Sequence, residues 1–337
     1  MMKQVNATID IVKFIGSILI FSLHCDVFMD YPWLDFLLEM LSRWGVPFFF
    51  ICSSYFLFSN SVNGKIEKAS IVKYTRRIAM LYLVWLIYNL PNVIYKRLYG
   101  HDLLDVGTYL VFLKNSVLYS TFTGSWYLAS SIFSVWAVYL LGKKFKTAAV
   151  MKITSLLYIV CALSSAYGGL LPEWGRGVLN FLCFPRNIFN GCFYFAIGKY
   201  ISENRNRLTE KFRPVAACCG FAACYLLFFA EVCIAKQWGA FKSTDVAFST
   251  VFVAFFLFML CLNVRIETKH GLLLRKCSTI IYCCHGNVLL ANGFMKQIFG
   301  IDPIVSYYIS ACGVAMICFA VFYIQKYMTW KWTKYLT

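Results

Sequence analysis

Apolar residues along the chain gather in runs of about twenty, the length an α-helix needs to cross hydrocarbon. Short clusters of Lys, Arg, Asn and Gly separate the runs. The pattern predicts about ten spanning helices, near residues 8–28, 43–60, 77–96, 125–142, 149–168, 184–202, 214–234, 243–263, 279–298 and 303–326. Segment 105–120 is also apolar, but Asp105, Gly107, Lys114 and Asn115 interrupt it. It reads as an interfacial or re-entrant piece outside the count. The polar connections are too short to enclose a core of their own. The expected fold class is therefore all-α, a polytopic transmembrane bundle forming a single integral-membrane domain over 1–337. The first apolar run is too long for a signal-peptide core and reads as a permanent span. The sequence contains no internal repeat and no Walker, Rossmann or GxSxG motif, which argues against an ATP-driven pump or an α/β-hydrolase.

Composition agrees. Sixty per cent of the residues are hydrophobic and 14% charged, against nearer half and a quarter in soluble domains. The net charge of +17 raises the question of nucleic acid. The positions of the charges answer it. Most Lys and Arg fall at the N-terminus and in 61–78, 143–152, 199–213, 264–276 and 326–337, on alternate sides of successive spans. Most acids fall on the other side, Asp26, Asp30, Asp35 and Glu39 among them. Basic loops mark the cytosol, so both termini are expected there, with the bilayer rather than nucleic acid as partner. The 15 cysteines lie mostly within predicted spans. Cys218–Cys219 and Cys283–Cys284 are adjacent pairs without CxxC spacing, so cysteine reads as small apolar filler and no metal site is expected.

Polar residues inside the spans carry the candidate chemistry. In "TIDIVKFIGSILIFSLHCDVF", His24 follows Lys13 by three helical turns plus about 20°, a rise of about 16 Å. Asp10 and Ser17 are helical neighbours of Lys13. The four form one polar stripe, with Lys13 toward the cytosolic end and His24 beyond the middle. Lys13 alone can be read as snorkelling to the interface, and Asp10 as its partner. Three ionisable groups in register instead suit the lining of a passage, since such groups in a span are costly and face an interior or a water-filled cavity.

Other positions join the stripe as candidates. Arg43 precedes "GVPFFFICSSYFLF", where Pro47, Ser53 and Ser54 interrupt an aromatic span. Lys73, Arg76 and Arg77 stand at the mouth of the third span, as positive-inside anchors or as a phosphate site. Trp126 and Tyr127 open the fourth span, as interfacial belt residues or as ligand contacts. Arg186, Asn187 and Asn190 open the sixth. Tyr282 and His285, near the start of the ninth, divide between packing and site.

In this order the motifs resemble the acyltransferase-3 family of bacterial integral-membrane acyltransferases. The resemblance rests on Asp10-x-x-Lys13 with His24 eleven residues after the base, "VPFFFICSSYFLF", the Arg76-Arg77 pair, Trp126-Tyr127-Leu128, "FYFAIGKYIS" and Ser278-x-x-x-Tyr282-x-x-His285. It runs from residue 8 to about 295. Lys13 stands where Arg is commoner, and Ser54 where Gly is usual. The resemblance implies an acyl-CoA-dependent O-acyltransferase. It would move an acyl group, most often acetyl from acetyl-CoA, from the cytosol to a hydroxyl of a cell-envelope or secreted glycan or a lipid-linked sugar. His24 would serve as general base or transient acyl carrier, with Asp10 holding Lys13 in place. Lys13, Arg76 and Arg77, with Lys73, would meet the CoA phosphates or the thioester end. Arg43, Ser53, Trp126, Tyr127, Arg186, Tyr282 and His285 would contact substrate. Many relatives carry a further extracytoplasmic domain, so this chain is expected to finish the transfer itself or with a partner. Two other readings compete: a transporter or flippase for a glycan precursor or small organic acid, and a sensor or anchor subunit, which leaves the stripe unexplained. Transporters commonly show repeats or paired broken spans; cleavage of an acyl-CoA thioester separates the first two readings.

Overall fold

A computed structural model describes residues 6–61, 66–97, 106–118, 120–182, 186–241, 246–328 and 330–337. Asp105 and the side chains of Asn115 and Arg186 lie outside the described groups. Every regular element described is helical. In chain order these are α1 (Ala7–His24), α2 (Pro32–Ser42), α3 (Gly45–Phe58), α4 (Lys68–Tyr88), α5 (Leu90–Arg97), α6 (Val106–Leu118), α7 (Ser125–Lys144), α8 (Thr147–Ser164), α9 (Glu173–Leu182), α10 (Arg186–Glu203), α11 (Arg205–Lys211), α12 (Pro214–Gln237), α13 (Phe248–Asn263), α14 (Gly271–Phe299) and α15 (Pro303–Tyr327).

A helix lies over each of the ten apolar runs, and α6 over the interrupted segment near 105–120. Several ends differ from expectation. α4 starts at Lys68 rather than 77, and α14 at Gly271 rather than 279. Lys and Arg are good helix formers, so these helices continue beyond their apolar stretch. An apolar run measures contact with lipid, not helix length. α4 stops at Tyr88 because Pro91 lacks an N–H and disfavours helix just before it. Among the described residues, six stretches are long and apolar enough to cross a membrane: Ala7–His24, Pro32–Phe58, Ser125–Lys144, Thr147–Ser164, Pro214–Gln237 and Pro303–Tyr327.

Local chemistry sets the boundaries. The Asn6 side-chain oxygen accepts from the Thr8 and Ile9 amides, capping α1. α14 ends at Gly300, whose φ of +61° is the left-handed cap. Two residues on, Asp302 accepts from the Ile304 and Val305 amides at 2.8 and 3.2 Å, and Pro303 takes the first position of α15.

The chain clusters into two compact units. The first comprises Met1–Ile9, Arg43–Thr75 and Ser130–Thr268. Its centre is α3 packed on α10 and α13, with α8 against α10 and α12 against α13. Phe50 meets Phe195 edge to face at 6.0 Å, and Tyr55 meets Phe258 at 5.1 Å. The α3–α10 contact is backbone-close: a Cβ on Gly198 would stand 2.6 Å from the Ile51 carbonyl oxygen. Ser54, where the resemblance expects Gly, donates to the Phe195 carbonyl at 2.5 Å. The close approach thus comes from Gly198 on the facing helix, and the Ser54 hydroxyl fits into it. Glu231 on α12 caps α13, accepting from the Phe248 and Ser249 amides at 2.8 and 2.9 Å and from the Tyr167 and Ser249 hydroxyls.

The second unit comprises Asp10–Ser42, Arg76–Ala129 and Lys269–Thr337. Its backbone is α14, packed on α15 and α5.

Candidate active site

In the second unit, α1 and α14 run side by side in the same direction, joined at three levels. At the first, the Asp10 carboxylate is buried and takes a forked contact from Arg275, Nε to Oδ1 and Nη2 to Oδ2, both 2.8 Å. At the second, the Ser278 hydroxyl donates to the Lys13 carbonyl at 3.0 Å. At the third, the His24 and His285 rings stack, centroids 5.4 Å apart and planes within 7°. The order 10, 13, 24 against 275, 278, 285 fixes the shared direction.

Asp10 therefore has a partner beyond the expected Lys13. A planar guanidinium matches both carboxylate oxygens at once, which an ammonium cannot. Lys13 is half-buried on the same face of α1. Ser17 is buried and donates to its own helix at the Phe14 carbonyl, 2.7 Å. His24 is the last residue of α1 and is exposed.

His285 is wholly buried. Tyr282 lies edge-on to it at 5.8 Å, and Tyr127 edge-on to Tyr282 at 5.6 Å. The Tyr282 hydroxyl donates to the Gly124 carbonyl at 2.9 Å. Gly124 has φ +86°, and a Cβ there would stand 2.9 Å from His285 Cε1. Glycine is needed at this position both for its backbone angle and for the space it leaves. Trp126 is half-buried next to Tyr127 on the first turn of α7.

The segment of α14 that carries His285 is bonded from a second direction. Asn89, at the break between α4 and α5, donates to the Trp85 and Cys283 carbonyls at 2.8 and 2.9 Å. Asn92 donates through its side chain to the Gly286 carbonyl at 2.8 Å, and its amide donates to Asn287 Oδ1 at 3.1 Å. Asn287 in turn donates to the Tyr88 carbonyl at 2.5 Å.

The structure thus gathers Asp10, Lys13, His24, Tyr127, Tyr282 and His285 into one column. Arg76 and Arg77 belong to the same unit and are exposed on α4; Lys73 precedes them on that helix and is also exposed. Arg43, just before α3, and Ser53, on α3, are half-buried in the first unit, and Arg186 opens α10 there. Sequence reasoning missed Arg275, Gly124, Asn89, Asn92 and Asn287. For Arg275 the signal was present. Arg275, Ser278, Tyr282 and His285 follow one another at steps of three, four and three, a single helical face.

The chain is 23% identical to an amino-acid racemase of Enterococcus faecalis over 325 residues, 92% of this chain and 44% of that protein. It is 30% identical to a serine/alanine racemase of Enterococcus gallinarum over 142 residues, 39% of this chain and 20% of that protein. The chain thus spans less than half the length of these curated relatives. No solved structure matches it. The family described as "Acyltransferase domain" matches residues 6–324, nearly the whole chain, and with apolar helices able to cross a membrane, this protein belongs to the acyltransferase-3 family of membrane acyltransferases.

Proposed function

We propose that the protein moves an acyl group, most readily acetyl, from cytosolic acyl-CoA to a hydroxyl of a cell-envelope or secreted glycan, in the cytoplasmic membrane of a bacterium. The observation that carries the reading is the α1–α14 column: an anchored acid, a base and an accessible imidazole follow one another along α1, backed by a second helix. Its parallel run is what α1 and α14 would show as the first and ninth of ten alternating spans, the count we propose, with both termini cytosolic. The charge distribution supports the same orientation.

His24 is the group we assign to the chemistry. Its ring takes the proton of the acceptor hydroxyl as that oxygen bonds the acyl carbon. The carbon–sulfur bond breaks, and the departing thiolate takes the proton from the imidazolium. Lys13 lies about 16 Å along α1 from His24, so we assign its positive charge to the CoA end of the donor rather than to the reacting carbonyl. Asp10 keeps α1 in register through Arg275. Lys73, Arg76 and Arg77 sit at i, i+3 and i+4 on α4, a spacing that puts three cations on one helical face and suits the CoA phosphates. Arg43, Ser53, Trp126, Tyr127, Arg186 and Tyr282 are proposed on the substrate side. The racemase names belong to the longer Enterococcus proteins, and the acyl-transfer reading follows the family match over 6–324.

The test is His24→Ala in membranes supplied with acetyl-CoA. We expect loss of thioester cleavage and of acyl groups on the surface glycan, with membrane insertion unchanged. Undiminished transfer by that variant would remove His24 from the mechanism.

A further inference from the structure

We infer that His285 is a positioning residue for His24, a flat ring held behind the catalytic imidazole, and that Asn89 and Asn92 hold it there. The inference rests on the reading of His24 as the base.

Burial comes first. His285 is 0% exposed, so it presents no surface to a substrate, and the ring it stacks on is the one assigned to the chemistry. That neighbour is His24, parallel to within 7°. His24 is the final residue of α1, where the helix gives way to a turn over 25–30, so its ring has no further helical turn of α1 packed beside it. The remaining sides of His285 are closed by Gly124 and by the edge of Tyr282.

Cys283 and Gly286 lie inside α14, where helical carbonyls already accept from their own helix. The bonds from Asn89 and Asn92 are additional to that ladder, so α14 does not need them to be helical. They fix instead the rotation of α14 about its axis at the turn that carries His285. Gly286 makes this possible: a Cβ there would stand 2.6 Å from Asn89 Oδ1. With side-chain atoms about 5–6 Å from the helix axis, a 10° rotation moves the ring by about 1 Å. A misplacement of that size costs about 100-fold in rate.

The experiment compares His285→Ala, His285→Phe, His285→Gln and Asn89→Ala/Asn92→Ala in purified protein. Phenylalanine keeps a flat ring without an ionisable group; glutamine keeps polarity without the ring. We expect turnover to fall about 100-fold in the Ala, Gln and double-Asn variants and to stay within about tenfold in the Phe variant, with KM for acetyl-CoA moving less than about twofold throughout. A Phe variant as inactive as the Ala variant, or a raised KM in it, overturns the inference in favour of proton transfer or substrate contact. A second readout is independent of catalysis. Carbethoxylation of His24 by diethylpyrocarbonate, followed by peptide mass spectrometry, should run faster in the Ala and double-Asn variants than in the wild type and the Phe variant. Equal labelling rates overturn the positioning role even where acyl transfer is intact. A wild-type chain inert toward acetyl-CoA with the expected labelling pattern overturns the enzyme reading and leaves the positioning role standing. The Phe variant against the wild type keeps the comparison available if the Ala variant fails to insert.

Discussion

The two units solve helix association in different ways. In the first, α3 and α10 meet backbone to backbone at Gly198, and rings from α3, α10 and α13 fill the space around the contact. In the second, α1, α14 and the α4–α5 break are tied by an ion pair, by hydroxyl and amide bonds to carbonyls, and by stacked imidazoles. Lipid is as apolar as leucine, so neither unit can rely on a hydrophobic force between helices. Packing of small residues gives closeness. Directional bonds also give rotation, and rotation is what places a ring. The first unit has such bonds too, from Ser54 to the Phe195 carbonyl and from the α13 amides to Glu231; the unit that carries the histidines adds the ion pair and sets its bonds at the turn beside the buried ring.

Breaking the ion pair should have the largest effect. Asp10→Ala leaves the Arg275 guanidinium without its carboxylate. Orphaning a fully buried partner costs about 3–5 kcal/mol; with Arg275 roughly one-third exposed, we expect about 2–3 kcal/mol, read as a fall in thermal unfolding temperature in detergent. Adding Arg275→Leu to that variant should restore part of the loss, because most of the cost is the orphaned charge. No restoration would mean that Asp10 supports the unit by another route.

Next is Gly198→Ala, which forces a methyl against the Ile51 carbonyl. Overpacking costs about 1–3 kcal/mol. We expect stability to fall by more than turnover per folded molecule, since the histidines stand on other helices. A large loss of turnover would erase the distinction between the units.

The smallest change in stability, about 1 kcal/mol, is expected for Asn89→Ala, which removes the bonds to Trp85 and Cys283. Here the ordering of effects should reverse. Turnover should fall by at least about tenfold, out of proportion to stability, because the ring moves while the fold survives. Proportionate losses would make Asn89 an ordinary packing residue.

The sequence revealed the helices better than the site. Each apolar run has a helix over it because burial in hydrocarbon demands length and apolarity, and both are local properties. α2 and α9 were passed over because they are short and interrupted by charge, below the length that marks a span. The stripe of Asp10, Lys13 and His24 was legible because helical periodicity is local as well. Its partners were not. Arg275 lies 265 residues from Asp10, and nothing along the chain says that α14 comes to α1. Asn89 and Asn92 flank Pro91 and look like residues of a helix break. Only the tertiary arrangement shows their amides turned toward α14.

The Asp10–Arg275 contact also sets an order of events in biosynthesis. Asp10 leaves the ribosome first and enters the bilayer with α1, while the guanidinium that pairs with it is still 265 residues from being made. At about 5–20 residues per second, the wait lasts tens of seconds. For that time the nascent chain carries an acid whose final partner does not exist, and only completion of α14 relieves it. A chain truncated before residue 275 would keep that exposed signal, and membrane quality-control proteases would have a chemical mark by which to recognise it.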